Sequence, residues 1–531
     1  MTRTKVISAA EAADLVPEGA TVSISSSSGL GCPDAVLRAI GVRFASTGAP
    51  SGLTTVHPIA AGDMYGIKGI DHLAQPGLLH RIFAGSYPSG PSSADPPLVR
   101  KLIEASEIQA YNLPSGVLFQ MHRSAATGQP GVLTTVGLDT FIDPRREGGR
   151  MNGVTPEFVR VEHFDGREWL YFPTVPVDVA VIRGTTADEH GNITMEDEGA
   201  PLGALDQALA ARSNGGIVIA QVKRVAEGRS LPAQQVRVPG ILVDRVVVDP
   251  DQLQTTQIAY DPALAGTLRR PLAEVEPAQF GLEKIIARRA AMELSRGAVV
   301  NLGFGISALV PRVLLEEGCH EEVTWVIEQG PIGGFPLTGF AFGCALNPQA
   351  ILPSSDQFTL LQSGGFDTAM LSFLEIDTEG NINVSALPGR SHVTAGVGGF
   401  ADITANARHL VFSGYFTAGR REIDVDAGEL RLISDGNVPK LVEKVRQVTF
   451  SGRRAVANGQ RVTVVTERCV MQLCPEGLTV TEVAPGIDLE RDVLDRAAYP
   501  LQVSSQLTVM DPRLFRPEPL RLQLPDAGEL R

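Results

Sequence analysis

The sequence predicts an α/β protein built from two related open α/β domains with mostly parallel sheets. Two observations carry that expectation. The first is an internal echo: "DVAVIRGTTADEHGNIT" (Asp178 to Thr194) runs in register with "DTAMLSFLEIDTEGNIN" (Asp367 to Asn383). The second is a strand, glycine turn and helix pattern that occurs once in each half, at Gly19 to Gly41 and at Gly297 to Gly318.

In chain order, "GATVSISSSSGLGCPDAVLRAIG" gives a β-branched strand, a turn with Gly29 and Gly31, and a helix. Asp178 to Thr194 is an apolar strand closed by Asp-x-x-Gly-Asn, an Asx-type turn that needs φ > 0 at Gly191. Its echo places Gly380 in the same position. Between the halves, Asp261 to Phe280 is rich in Pro, Ala and charge and reads as a linker, which sets domains at 1–265 and 276–531. "GLEKIIARRAAMELSRG" then predicts a helix with Leu282, Ile285, Ile286 and Met292 on one face and a stop at Gly297. After "GAVVNLGFGISALVPRVLLEEG", whose helix carries Val310, Val313 and Leu314, a second strand ends at "VIEQGPIGG". Related halves of this kind can enclose a ligand between them, so the active site is expected to be interdomain.

Composition removes several function classes. With 46 basic and 60 acidic residues the formal charge is −14, which disfavours nucleic acid as a partner. Five cysteines without a C-x-x-C pair argue against a disulfide framework or a zinc site, and no metal is expected. The first residues lack a secretory apolar core and no run reaches the ~20 apolar residues of a membrane span. The expectation is a soluble, cytoplasmic protein. There is no G-x-S-x-G elbow, no G-x-x-x-x-G-K-[ST] loop and no H-E-x-x-H.

Glu328 is the residue on which function turns. It ends an apolar run and precedes Gly330, Gly333, Gly334, Gly339 and Gly343, a density that suits a backbone approached closely by a ligand. Three readings of its side chain stay open from the residues alone. It can be a solvated strand end. It can be the ribose-binding acid of a dinucleotide fingerprint, since Gly303, Gly305 and Ala308 form G-x-G-x-x-A upstream. Or it can be a nucleophile toward an activated acyl group, which requires a desolvated carboxylate and amide donors for the oxyanion. A second glycine cluster, "TAGVGGFADI" with Gly396, Gly398 and Gly399, offers such donors.

The ordered set "VNLGFGI", "EQGPIGGFPLTGFAFG", "GGFDTAMLSFLEIDTEGNINVS" and "AGVGGFADITANARHLVFSGYFTAG" resembles the family I CoA-transferases, in particular single-chain acetate or propionate CoA-transferases. The likeness spans nearly the whole chain and fades after about Tyr499. It implies two fused domains, equivalent to the α and β subunits of two-chain relatives, the second carrying the catalytic Glu. It also implies that Glu328 accepts acyl from acyl-CoA as an anhydride and then carries CoA as a γ-glutamyl thioester. CoA is thus a substrate and covalent intermediate, no cofactor is tightly bound, and small carboxylic acids are the other partners. Gly303, Phe304, Gly305, Ile306 and Ser307 match the CoA-contacting loop, Gly398 and Gly399 an oxyanion or CoA contact, and Asn383 a further contact. Ser115 in "LPSG" stands where many relatives have Gln, on the substrate side. Relatives form dimers or tetramers, so a homo-oligomer is implied. Two alternatives remain beside transfer: acyl-CoA hydrolysis through the same glutamate, and a catalytically silent CoA-binding subunit.

Overall fold

The computed structural model of the protein describes residues 5–88, 96–386 and 396–527. The chain divides into two compact units. The first holds the described residues up to 270 together with 327–362 and 396–405, and the second holds 271–326, 363–386 and 406–527.

In the first unit eight strands form one sheet in the order Val6–Ile7, Arg245–Val248, Ile217–Val222, Val179–Arg183, Thr21–Ile24, Leu53–His57, Leu79–Ala84, Gln109–Asn112. Every neighbouring pair is parallel. Successive side chains of a strand point to opposite faces, and the core divides accordingly. Val179 and Val181 pack into one apolar cluster with Val36, Leu37 and Ile40 of the helix Asp34–Thr47. Ala180 and Ile182 pack into another with Ala208 and Ala211 of the helix Ala204–Ser213. Both faces of the strand are covered, which is why its sequence is an unbroken apolar run.

The second unit repeats the plan. Thr324–Val326, Val299–Leu302, Thr368–Ser372, His409–Ser413 and Arg461–Val465 pair in that order and all in parallel. Cys469–Cys474 and Gly477–Val483 extend the sheet antiparallel, and Gln502–Val509 runs parallel to the last of them. The strand order Arg245–Val248, Ile217–Val222, Val179–Arg183, Thr21–Ile24, Leu53–His57 thus has its counterpart in Arg461–Val465, His409–Ser413, Thr368–Ser372, Val299–Leu302, Thr324–Val326. The echo extends to single hydrogen bonds. Asp178 Oδ2 accepts from Thr21 N at 2.8 Å, and Asp367 Oδ2 accepts from Val299 N at 2.9 Å.

The Asx turns form as expected. Asp188 Oδ1 accepts from His190 N and Asn192 N, each at 2.9 Å, with Gly191 at φ 85°. Asp377 Oδ1 accepts from Glu379 N and Asn381 N, each at 3.0 Å, with Gly380 at φ 72°. One helix runs past a glycine, and another ends earlier than expected. The first helix continues through Gly41 to Thr47 and stops at Gly48, φ 74°. Gly41 is needed for close approach instead, since a Cβ there would run into His72 O. The helix Leu282–Ala291 ends before Gly297, because its last turn tightens: Met292 N bonds Arg289 O and Glu293 N bonds Ala290 O. Glu293 then serves Arg289 and Arg461 at 2.8 and 2.9 Å.

Among the described residues no helix is long and apolar enough to cross a membrane.

Candidate active site

The chain leaves the strand Thr324–Val326 and closes a tight turn, with Ile327 N donating to Pro331 O and Gly330 N to Ile327 O, both at 2.9 Å. Glu328 lies in that turn, in the first unit. The helix Ser354–Gln362 braces the turn from one side. Its Ser354 Oγ donates to Gln329 O at 2.7 Å and its Gln357 Nε2 to Ile327 O at 3.0 Å. Gln329 is buried, and its Nε2 donates to Glu328 Oε1 at 3.1 Å. Its side chain lies against Gly343, φ 95°, where a Cβ would come within 2.8 Å of Gln329 Cδ. Part of the glycine density downstream of Glu328 therefore makes room for the residue that holds it.

The second carboxylate oxygen faces glycine. A Cβ built on Gly399 would collide with Glu328 Oε2 and come within 2.7 Å of Phe358 Cε1. Glu328 is half-buried, with protein against both carboxylate oxygens. That desolvation pushes its pKa from 4.5 up to about 7, opposed by the Gln329 hydrogen bond.

Gly396 to Gly399 is fixed by a short web. Val397 N donates to Asn112 Oδ1 at 2.9 Å, and Asn112 Nδ2 to Gly85 O at 2.6 Å. Gly398 N donates to the same Gly85 O at 2.7 Å, while Gly398 O accepts from Ser115 N at 3.0 Å. The Gly398 N–H is thus committed, and among the described residues the Gly399 N–H has no acceptor. Ser115 is fully buried. Its hydroxyl has no partner among the described residues and abuts Gly85, so Ser115 reaches this web through its amide. Thr394 and Ala395, which begin the sequence cluster, lie outside the described residues.

Asp402 completes the arrangement and was not singled out by the sequence. It lies in the helix Phe400–Asn406, has no exposed surface, and accepts from Gly116 N at 2.9 Å and Gln362 Nε2 at 2.7 Å. Gln362 Oε1 in turn accepts from Gln120 Nε2. Burial pushes the Asp402 pKa up to about 7, the two donors oppose this, and the charge of Glu328 adds to it. The signal was present in "GGFADI": a carboxylate in an otherwise apolar helix start, directly after the glycines.

The remaining expected residues belong to the second unit. Gly303 N donates to Met370 O at 2.8 Å, Ser307 Oγ donates to Leu371 O at 2.7 Å, and Ser372 Oγ to Phe304 O at 2.7 Å. Gly305 has φ 90°, and a Cβ there would collide with Ser372 Oγ. The loop is anchored at both ends with Phe304 64% exposed at its crest and Ile306 opening a 3-10 turn, Ile306–Leu309, that runs into the helix Val310–Glu316. Asn383 is buried. Its Nδ2 donates to Glu375 Oε2 and Ala386 O, both at 2.8 Å, and its Oδ1 accepts from Ser385 N and Ala386 N, both at 3.1 Å. Its carboxamide is spent on its own turn and on Glu375 of the paired strand.

Against known proteins, a sequence model described as coenzyme A transferase matches residues 6–249. The caffeate CoA-transferase of Acetobacterium woodii is 42% identical over 517 residues, 96% of this chain and 97% of that protein. The chain belongs to the coenzyme A transferase family. A second CoA-transferase, the acetate CoA-transferase YdiF of Escherichia coli K12, is 38% identical over 530 residues, 99% of this chain and 98% of that protein. Crystal structures of the Escherichia coli O157:H7 acyl-CoA transferase YdiF agree in fold. The apoenzyme has a TM-score of 0.92 and a thioester complex with CoA 0.90, both at 36% identity over 99% of this chain and 98% of theirs. This CoA-transferase therefore shares its mixed α/β fold with those relatives over the whole chain.

Proposed function

We propose that this CoA-transferase moves CoA between a short-chain acyl-CoA and a free carboxylate by a ping-pong route through a γ-glutamyl-CoA thioester on Glu328. The observation that carries the reading is the setting of the Glu328 carboxylate. One oxygen is held by Gln329, the other lies against Gly399, and the group is desolvated enough to raise its basicity. A carboxylate stripped of water is a stronger nucleophile toward a thioester carbonyl than a solvated one.

In this reading Glu328 attacks the acyl carbonyl and forms a mixed anhydride, releasing CoA thiolate. The thiolate attacks the glutamyl carbonyl, the first acid leaves as its carboxylate, and the same steps in reverse load the second acid. No general base is needed, because every leaving and attacking group is an anion. Each tetrahedral intermediate needs a donor for its oxyanion, and the Gly399 N–H next to Glu328, which has no acceptor among the described residues, supplies it, while Gly398 fixes the segment. The loop Gly303, Phe304, Gly305, Ile306 and Ser307 contacts CoA through its bare backbone and the exposed Phe304 ring, and Asn383 shapes the turn beyond it. Ser115 bears on the substrate side by setting Gly398.

The similar proteins are named for acetate and for caffeate, acids of very different size. A matrix of acetyl-, propionyl- and cinnamoyl-type CoA donors against the matching free acids, read by mass spectrometry of the acyl-CoA products, tests the acid class. Small aliphatic acids are expected to give the highest kcat/KM. A preference for the aryl-propenoic acids would replace them while leaving the Glu328 chemistry intact. Parallel initial-rate lines in double-reciprocal plots are expected from the ping-pong route, and intersecting lines would contradict it.

A further inference from the structure

The half-buried Glu328 and the fully buried Asp402 approach the same turn of backbone. A Cβ on Gly399 would collide with Glu328 Oε2, and Asp402 follows in the first turn of the helix Phe400–Asn406. We propose that in the free enzyme Asp402 and Glu328 share one proton, and that this proton is released to solvent when Glu328 becomes a neutral thioester. The inference rests on the reading of Glu328 as the nucleophile.

Among the described residues, the groups around the pair leave no other charge to balance them. The helix Ser115–Ala126, packed against Asp402, brings the Gly116 N–H and carries His122 and Arg123. His122 is neutral near pH 7, since burial lowers its pKa to about 4, and its ring nitrogens are engaged with Ser23 Oγ and Leu118 O. Arg123 is committed to Asp206, Asp356 and Ser355. The helix Ser354–Gln362 brings Gln362, and its Asp356 is the carboxylate paired with Arg123. The helix Phe400–Asn406 has Asp402 as its sole ionisable group, and Glu328 is the charged side chain that acts on it. Two neighbouring carboxylates with no cation assigned to them among the described residues do not both ionise near neutrality, and protons come off the pair as a unit. Asp402 Oδ1 and Oδ2 each accept one hydrogen bond, so its ionised form is well received once the competing charge is gone.

Loading of Glu328 removes that charge. In the overall step, acyl-CoA plus the Glu328 carboxylate gives the glutamyl thioester plus the free acid's carboxylate. The C–S bond to the acyl group breaks, a C–S bond to Glu328 Cδ forms, and one carboxylate replaces another with no proton taken up or released. Any proton that appears on loading therefore comes from the protein. Asp402 acts through Glu328 and not on the substrate: it keeps the net charge of the enclosed site near one negative throughout the cycle.

The test is a stoichiometry. The full-length enzyme is mixed with acetyl-CoA, without an acceptor acid, in weakly buffered solution near neutral pH, with an indicator dye for protons and intact-mass quantitation of the thioester in the same samples. Wild type is expected to release close to about one proton per thioester formed, and D402N only the smaller amount contributed by the protonated fraction of Glu328 itself. Gln362→Leu, which removes one donor from the Asp402 carboxylate, is expected to load CoA and to retain its proton to higher pH than wild type. Equal release by wild type and a loaded D402N, or loading of wild type with no release, overturns the sharing. Should D402N fail to fold, the wild-type stoichiometry and the direction of the Gln362→Leu shift still decide. Failure of the wild type to form any thioester is a different result and would strike the reading of Glu328 instead.

Discussion

Glu328 illustrates how a residue's chemistry is set by what surrounds it. With its pKa pushed up to about 7, part of the enzyme holds a protonated, unreactive Glu328 at neutrality, so the first half-reaction is expected to rise with pH through about 7. Gln329→Ala removes the donor that stabilises the carboxylate, and should move that rising limb to higher pH and cut activity at pH 7 about three- to tenfold, read from single-turnover rates against pH. The linkage to stability has the opposite sign to that of a salt-bridged acid. For Glu328 and Asp402 the folded pKa lies above the unfolded values of 4.5 and 3.8, so their contribution is full below about pH 4 and is lost as pH rises through about 7. The melting temperature of wild type relative to E328Q should therefore fall between about pH 5 and pH 8, and a flat difference would contradict the burial of the carboxylate. Gly399→Ala places a methyl against Glu328 Oε2 and Phe358, a form of overpacking that costs about 1–3 kcal/mol. Thioester formation should slow about tenfold to a hundredfold with little change in acyl-CoA binding. The sequence marked Glu328 and its glycines, but left a strand end, a ribose ligand and a nucleophile open. Asp402 carried only a weak signal, a lone carboxylate in an apolar helix start, and its meaning comes from Gly116 and Gln362, both remote in sequence.

At the level of elements, the periodic parts were legible and the ends were not. Strand runs such as Val179–Arg183 declare themselves because burial on both faces demands apolar residues. Gly41 lies inside a helix because the backbone of His72 needs its space, a tertiary reason that no window of sequence contains. The Gly303 to Ser307 loop resembled the start of a dinucleotide fingerprint, but the elements around it do not make one: a 3-10 turn and a short helix follow, and the acid downstream lies in a closed turn. The loop's conformation depends on Gly305 at φ 90°, which an alanine adopts only with strain. Gly305→Ala also meets Ser372, and is expected to raise the KM for acyl-CoA severalfold while thioester chemistry at saturation changes less. A fall in kcat with unchanged KM would remove this loop from CoA binding.

For the whole molecule, the internal repeat proved the most informative feature of the sequence. It reappears as two sheets whose five central parallel strands follow the same order, down to the paired hydrogen bonds of Asp178 and Asp367. What the repeat did not disclose is that 327–362 and 396–405, downstream of the linker, pack with the first unit. Glu328, Gly399 and Asp402 thus belong with Gly85, Asn112 and Ser115, and that grouping depends on contacts between residues hundreds of positions apart in the chain. The central claim is that Glu328 is the atom-transferring centre of this CoA-transferase. It is tested most directly by incubating wild type and E328Q with acetyl-CoA and no acceptor, trapping with borohydride, and mapping the modified peptide by mass spectrometry. The expected result is CoA-dependent modification confined to Glu328 in wild type and absent from E328Q. Modification at another residue, or CoA transfer by E328Q at the wild-type rate, would contradict it.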